Sequence, residues 1–91
     1  MTQLTVEVIN KLGLHARAAA KLVRLASQFS SEIHLSLEGE HQTIDSKSIL
    51  GILMLAASKG TRLVVSIHGQ DEEEAGRAIQ QLFREKFGEV E

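Results

Sequence analysis

Leu4, Val6 and Val8 alternate with Thr5, Glu7 and Ile9, the period of two that a half-buried strand shows. The period then lengthens. From Ala16 to about Ser27, Ala19, Leu22, Val23 and Ala26 fall at helical spacing, while Arg17, Lys21, Arg24 and Gln28 share the other side. Ile33, Leu35 and Leu37 alternate with His34, Ser36 and Glu38. Gly39 offers a turn, and His41 to Ile44 returns as a short strand, which predicts a hairpin. Ser48 to Ala57 reads as a short apolar helix, with Lys59 and Gly60 placed where a cation and a glycine close helices.

Leu63, Val65 and Ile67 alternate with Val64, Ser66 and His68 in a fourth strand, and Gly69 punctuates it. Ala75, Ala78, Ile79, Leu82, Phe83 and Lys86 then define a last helix. Asp71 and Glu74 resemble a capping box before it, and Glu72 and Glu73 complement the positive helix end. The order is βαββαβα. Because each strand has one apolar side, it predicts an α+β fold: an antiparallel sheet covered on one face by three helices.

Composition narrows the class. Ninety-one residues without a linker, repeat or low-complexity segment predict a single domain over residues 1–91, with a stability of roughly 5–10 kcal/mol. A net charge of −2 argues against general nucleic-acid binding. No apolar run approaches the roughly 18 residues that membrane insertion needs, and the first residues do not read as a signal peptide. The absence of cysteine removes thiolate chemistry and fits the cytoplasm.

The charge is unevenly placed. Between Asn10 and Ser31 there is no carboxylate, yet Lys11, Arg17, Lys21 and Arg24 all lie there. Gly13 lets the chain turn, and His15 falls at the N-cap of the first helix or next to it. The free backbone N–H groups of Ala16, Arg17 and Ala18 then face its side chain and, with the helix dipole, form an anion site. A neutral imidazole gains little there; a phosphorylated one gains hydrogen bonds to three oxygens. Arg17 adds a planar fork suited to phosphate. An imidazole nucleophile in a positive cradle points to transient phosphorylation on histidine, against the plainer alternative of a polar loop residue beside a solvated basic face.

The segment "GLHARAAAKLV" resembles the active-site motif of the HPr family, the histidine-containing phosphocarriers of the bacterial phosphoenolpyruvate-dependent phosphotransferase system. "KSILGILMLAASKG" and "GQDEEEAGRAI" extend the likeness along the chain in the right order and spacing. The resemblance implies an open-faced β-sandwich with sheet order 1-4-2-3. It implies that His15 accepts a phosphoryl group through Nδ1 from phosphorylated enzyme I and passes it to an enzyme IIA protein, with Arg17 supporting the transfer. No cofactor or metal is implied, and a monomer is expected. One position departs from the family pattern: Ala18 stands where the family usually has proline.

The family's second site is a serine opening the second helix. Lys47-Ser48-Ile49-Leu50-Gly51 matches that motif, so the resemblance assigns regulatory phosphorylation by an HPr kinase/phosphorylase to Ser48 rather than Ser46; a plain helix cap is the alternative. Ile49, Leu50, Ile52, Leu53, Met54 and Leu55 nearly encircle the helix. One side must fill the core, so Ile49, Leu50 and Leu53, with Lys21 and Arg24, form the expected partner-docking surface. His34, His41 and His68 have no ligand-like spacing and read as surface residues. A non-catalytic regulatory module on the same fold, and a nitrogen-branch carrier, remain the alternatives to a sugar-branch phosphocarrier.

Overall fold

The computed structural model describes Met1–Glu91. Strand β1 (Thr2–Glu7) leads into helix α1 (Ala16–Ala26); strand β2 (Glu32–Leu37) is followed by strand β3 (Ile44–Asp45) and helix α2 (Ile49–Met54). Strand β4 (Arg62–His68) then precedes helix α3 (Glu72–Arg84). A single turn over Lys86–Gly88 leads to the last residues. The four strands form one antiparallel sheet in the order β1-β4-β2-β3, as expected.

Strand β4 sits inside the sheet, with Leu63 opposite both Val6 and Leu37, and Val65 opposite both Leu4 and Leu35. The period-two alternation therefore puts these side chains on one face. Leu22 and the alanines of α1, Ile52 of α2, and Ala75, Ile79 and Phe83 of α3 close over it in one contiguous core. Each large apolar side chain buried there contributes about 1.5–3 kcal/mol. The other face carries polar residues, including Gln3 bonded to Ser66 and Arg62 bonded to Glu38. That face is the open side of the sandwich.

Three local expectations need correction. The returning strand is not His41–Ile44 but the two residues Ile44–Asp45, which pair with Leu35 and His34. Helix α2 ends at Met54, six residues long, and does not run to Ala57. Ala56, at φ +51°, takes the left-handed position that stops it, and Gly60 instead makes the turn into β4, donating its N–H to the Val8 carbonyl at 2.7 Å. Asp71 stands at the N-terminus of α3 without capping it. Its carboxylate instead accepts the N–H groups of Ser30 and Ser31 at 2.9 and 3.0 Å, together with the Ser31 hydroxyl. Glu72, one residue on, accepts the Gly69 N–H at 3.0 Å and so ties the incoming chain to the first turn of the helix.

Candidate functional site

The site begins in the loop between β1 and α1. Asn10 is fully buried, and its Nδ2 donates to the Gly13 carbonyl at 2.8 Å, folding the loop back on itself. Gly13 adopts φ +69°; a Cβ built there would lie 2.6 Å from the Ala57 carbonyl oxygen, so only glycine fits. That carbonyl accepts the N–H of Leu14 at 2.9 Å. The loop is thereby pinned to the segment following α2, and the next residue is placed with little freedom.

That residue is His15. Its extended backbone (φ −73°, ψ 178°) makes it the N-cap of α1, and its carbonyl accepts the N–H of Ala19 at 2.8 Å. The ring caps the helix too: Nδ1 accepts the N–H of Arg17 at 3.3 Å. Among the three expected backbone donors, Arg17 alone reaches the ring. The N–H groups of Ala16 and Ala18 make no hydrogen bond; Ala16 is exposed at the helix end, whereas Ala18 is fully buried. Ala18, in the place of the usual proline, buries its methyl group in the core.

Arg17 is exposed and makes no ion pair; it lines a shallow cleft with Lys11, Leu12, Glu89 and Glu91. Arg24 is equally exposed and unpaired. Lys21 is not free: its ammonium donates to the Phe87 carbonyl at 2.6 Å. Of the two cations expected at a docking surface, Arg24 is exposed and unpaired, whereas Lys21 is half-buried and tied to the Phe87 carbonyl.

A carboxylate enters where the acid-free stretch predicted none. Glu89 Oε2 lies 2.5 Å from His15 Nε2, across 74 residues of sequence, and the Asn10 amide donates to its Oε1 at 3.0 Å. The His15 hydrogen bond, more than that of Asn10, holds the Glu89 carboxyl below its ordinary range. Positive φ angles at Lys86, Phe87 and Gly88 (57°, 57° and 80°) bring it there. They turn the chain so that Phe87 is buried against Phe83 in an edge-to-face pair, with ring centroids 4.9 Å apart. Sequence reasoning stopped at the last helix and missed this segment. The available signal was an aromatic residue and glycine, Phe87-Gly88, directly after a helix end.

Ser46 and Ser48 differ in burial. Ser46 is fully buried, its hydroxyl donating to the Ile33 carbonyl at 2.9 Å. Ser48 is partly exposed as the N-cap of α2, its Oγ accepting the Gly51 N–H at 3.2 Å. Beyond it, Ile52 points into the core, while Ile49, Leu50, Leu53 and Met54 are exposed by 42, 60, 39 and 81%. Helices α1 and α2 pack against each other, which places this apolar face on the helix layer that also holds His15.

A partly exposed imidazole capping a helix N-terminus, on an open-faced βαββαβα sandwich, is the arrangement expected of the histidine phosphocarrier class. The family model for the PTS HPr component phosphorylation site matches residues 2–85. The chain is 46% identical to the phosphocarrier protein HPr of Cupriavidus necator over the full length of both, and 50% identical to that of Xylella fastidiosa over 90% of each. The crystal structure of HPr-C-His from Thermoanaerobacter tengcongensis superposes with a TM-score of 0.93 at 44% identity, covering both chains completely. The chain belongs to the HPr family of phosphocarrier proteins of the phosphotransferase system.

Proposed function

We propose that this chain accepts a phosphoryl group on His15 Nδ1 from phosphorylated enzyme I and hands it to an enzyme IIA protein. The hydrogen bond from the Arg17 N–H to Nδ1 carries the reading: a ring nitrogen that accepts a hydrogen bond holds a lone pair, and a lone pair at the surface is a nucleophile. Once phosphorylated, that nitrogen presents three oxygens beside the exposed, unpaired Ala16 N–H of the helix start and the free Arg17 guanidinium. Family membership supplies the donor and acceptor proteins, and the exposed face of α2 with Arg24 gives them an apolar and basic surface to meet. The cytoplasm is the compartment this function requires, and no helix is long and apolar enough to cross a membrane.

Ser48 is the regulatory position in this reading. It is accessible and starts the docking helix, so a phosphate there adds negative charge beside the surface that partners use. Incubation with phosphoenolpyruvate and enzyme I should place an acid-labile, base-stable label on the wild type and none on His15→Ala. Labelling of His15→Ala at the wild-type rate would overturn the proposal.

A further inference from the structure

The acidic residue on the far side of the His15 ring belongs to neither the helix start nor the docking face. It lies outside the residues matched by the family model, which end at 85. Its placement is built rather than incidental. Phe87 is buried, Lys21 holds the Phe87 carbonyl at 2.6 Å, and the backbone tolerates two non-glycine residues at positive φ to make the turn. Glu89 itself is held from two sides, by His15 at 2.5 Å and by Asn10 at 3.0 Å. Asn10 is fully buried and leaves its Oδ1 unpartnered, so a buried polar residue is used to direct this carboxylate.

The ring is therefore bonded at both nitrogens, and the bonds agree. Nδ1 accepts from Arg17, so the ring proton of the neutral form sits on Nε2, where Glu89 accepts it. The geometry points to Glu89 as a positioning residue for phosphoryl transfer: it fixes the Nε2–H tautomer of His15, leaving Nδ1 as the nucleophile, and balances the charge of the phosphorylated ring. This role rests on the carrier reading above.

The balance of the step shows why a carboxylate belongs there. As the Nδ1 lone pair forms the new bond to phosphorus, the bond from phosphorus to the donor atom breaks and its electron pair leaves with the donor. The proton on Nε2 stays, and the ring becomes a phosphorylated imidazolium facing the Glu89 anion. In the onward transfer the electron pair of the P–N bond returns to Nδ1, and the ring leaves neutral, still protonated at Nε2. No proton need be lost or gained in either direction. The two ring nitrogens point apart, so the carboxylate lies nearer the ring cation than the phosphoryl oxygens on the opposite side. Attraction then outweighs repulsion. A carboxylate orienting a histidine in this way generally changes rates through the histidine rather than by touching the substrate.

Two measurements test it on the full chain. Long-range 1H–15N correlation spectra of histidine-labelled protein should show the Nε2–H tautomer of His15 in the wild type. Glu89→Gln, which keeps an acceptor at the same place, should retain it, and Glu89→Ala, left with the Arg17 N–H alone at 3.3 Å, should admit a share of the Nδ1–H form. In transfer from phosphorylated enzyme I, Glu89→Ala should lower the saturated rate by about 10- to 100-fold, with the half-saturating concentration unchanged and Glu89→Gln in between. An unchanged tautomer in Glu89→Ala would overturn the inference. So would faster acceptance, which would make the carboxylate an inhibitor, or an effect on half-saturation alone, which would make it a docking residue. The spectra need no partner protein and judge the positioning by themselves, whereas a wild type that accepts no phosphoryl group marks failure of the carrier reading.

Discussion

Lys21 Nζ donates to the Phe87 carbonyl at 2.6 Å, a bond between residues 66 apart in sequence that ties the middle of α1 to the turn after α3. The same turn buries the Phe87 ring against Phe83. The segment following the last helix is thus part of the folded unit.

Phe87→Ala should cost about 3–5 kcal/mol, the usual range for emptying a buried phenylalanine site. Urea unfolding followed by circular dichroism measures it. A loss below about 1 kcal/mol would mean that the turn is not docked.

Gly13→Ala should destabilise by about 1–3 kcal/mol, because the new Cβ meets the Ala57 carbonyl oxygen and the backbone sits at φ +69°. The carbonyl cannot withdraw without breaking its bond to Leu14. The same unfolding assay reads the effect, and Gly39→Ala, at a glycine with open space around it, is the comparison.

The two serines should respond in opposite ways to aspartate. Ser46→Asp places a carboxylate in the core beside a carbonyl oxygen and should cost on the order of 3–5 kcal/mol. Ser48→Asp keeps an oxygen to cap α2 and should stay within about 0.5 kcal/mol of wild type. Affinity for enzyme I, measured by calorimetry, should fall for Ser48→Asp although the fold is intact.

Arg17→Ala should slow phosphoryl transfer by roughly 10- to 100-fold, which is what about 1.5–3 kcal/mol of charged hydrogen bonding in the transition state amounts to. Its side chain makes no ion pair, so the unfolding midpoint should barely move. Rapid-quench kinetics and urea unfolding together separate the two effects.

Acid should weaken the fold through the start of α3. Asp71 is lowered from 3.8 to about 2, chiefly by the Ser31 hydroxyl and then the Ser30 N–H; Glu72 is lowered from 4.5 to about 2, chiefly by the Gly69 N–H. Both carboxyls are more acidic folded than unfolded. Their contribution is therefore whole above 4.5 and drains away as pH falls towards 2. Urea midpoints at pH 5 and pH 3 should differ less in Asp71→Asn/Glu72→Gln than in the wild type.

What was legible in the sequence follows from what each contact depends on. The alternation in β1, β2 and β4 survives because each has a single covered face, and the helical period of α3 survives for the same reason. The third strand was harder to delimit: two paired residues give no period, and the polar run before Ile44 has no partner. Helix α2 read too long because an alanine, rather than a glycine, takes the left-handed stop at Ala56. The Asp71 carboxylate was assigned to its own helix because nothing local announces two serines some 40 residues earlier. His15 was legible from glycine, helix start and charge asymmetry, all within a few residues of it. Glu89 was not, since only the folded topology brings position 89 to position 15.

The edge-to-face pair of Phe83 and Phe87 has a spectroscopic consequence. The chain has no tryptophan or tyrosine, and of its three phenylalanines only these two share a contact. An edge directed at a neighbouring ring face sits in that ring's shielding cone. Ring protons of one member of this pair should therefore resonate upfield of those of Phe29 and return to ordinary positions whenever the turn lets go. A one-dimensional proton spectrum then serves as an internal gauge of whether the segment carrying Glu89 is seated, without a label or a partner protein.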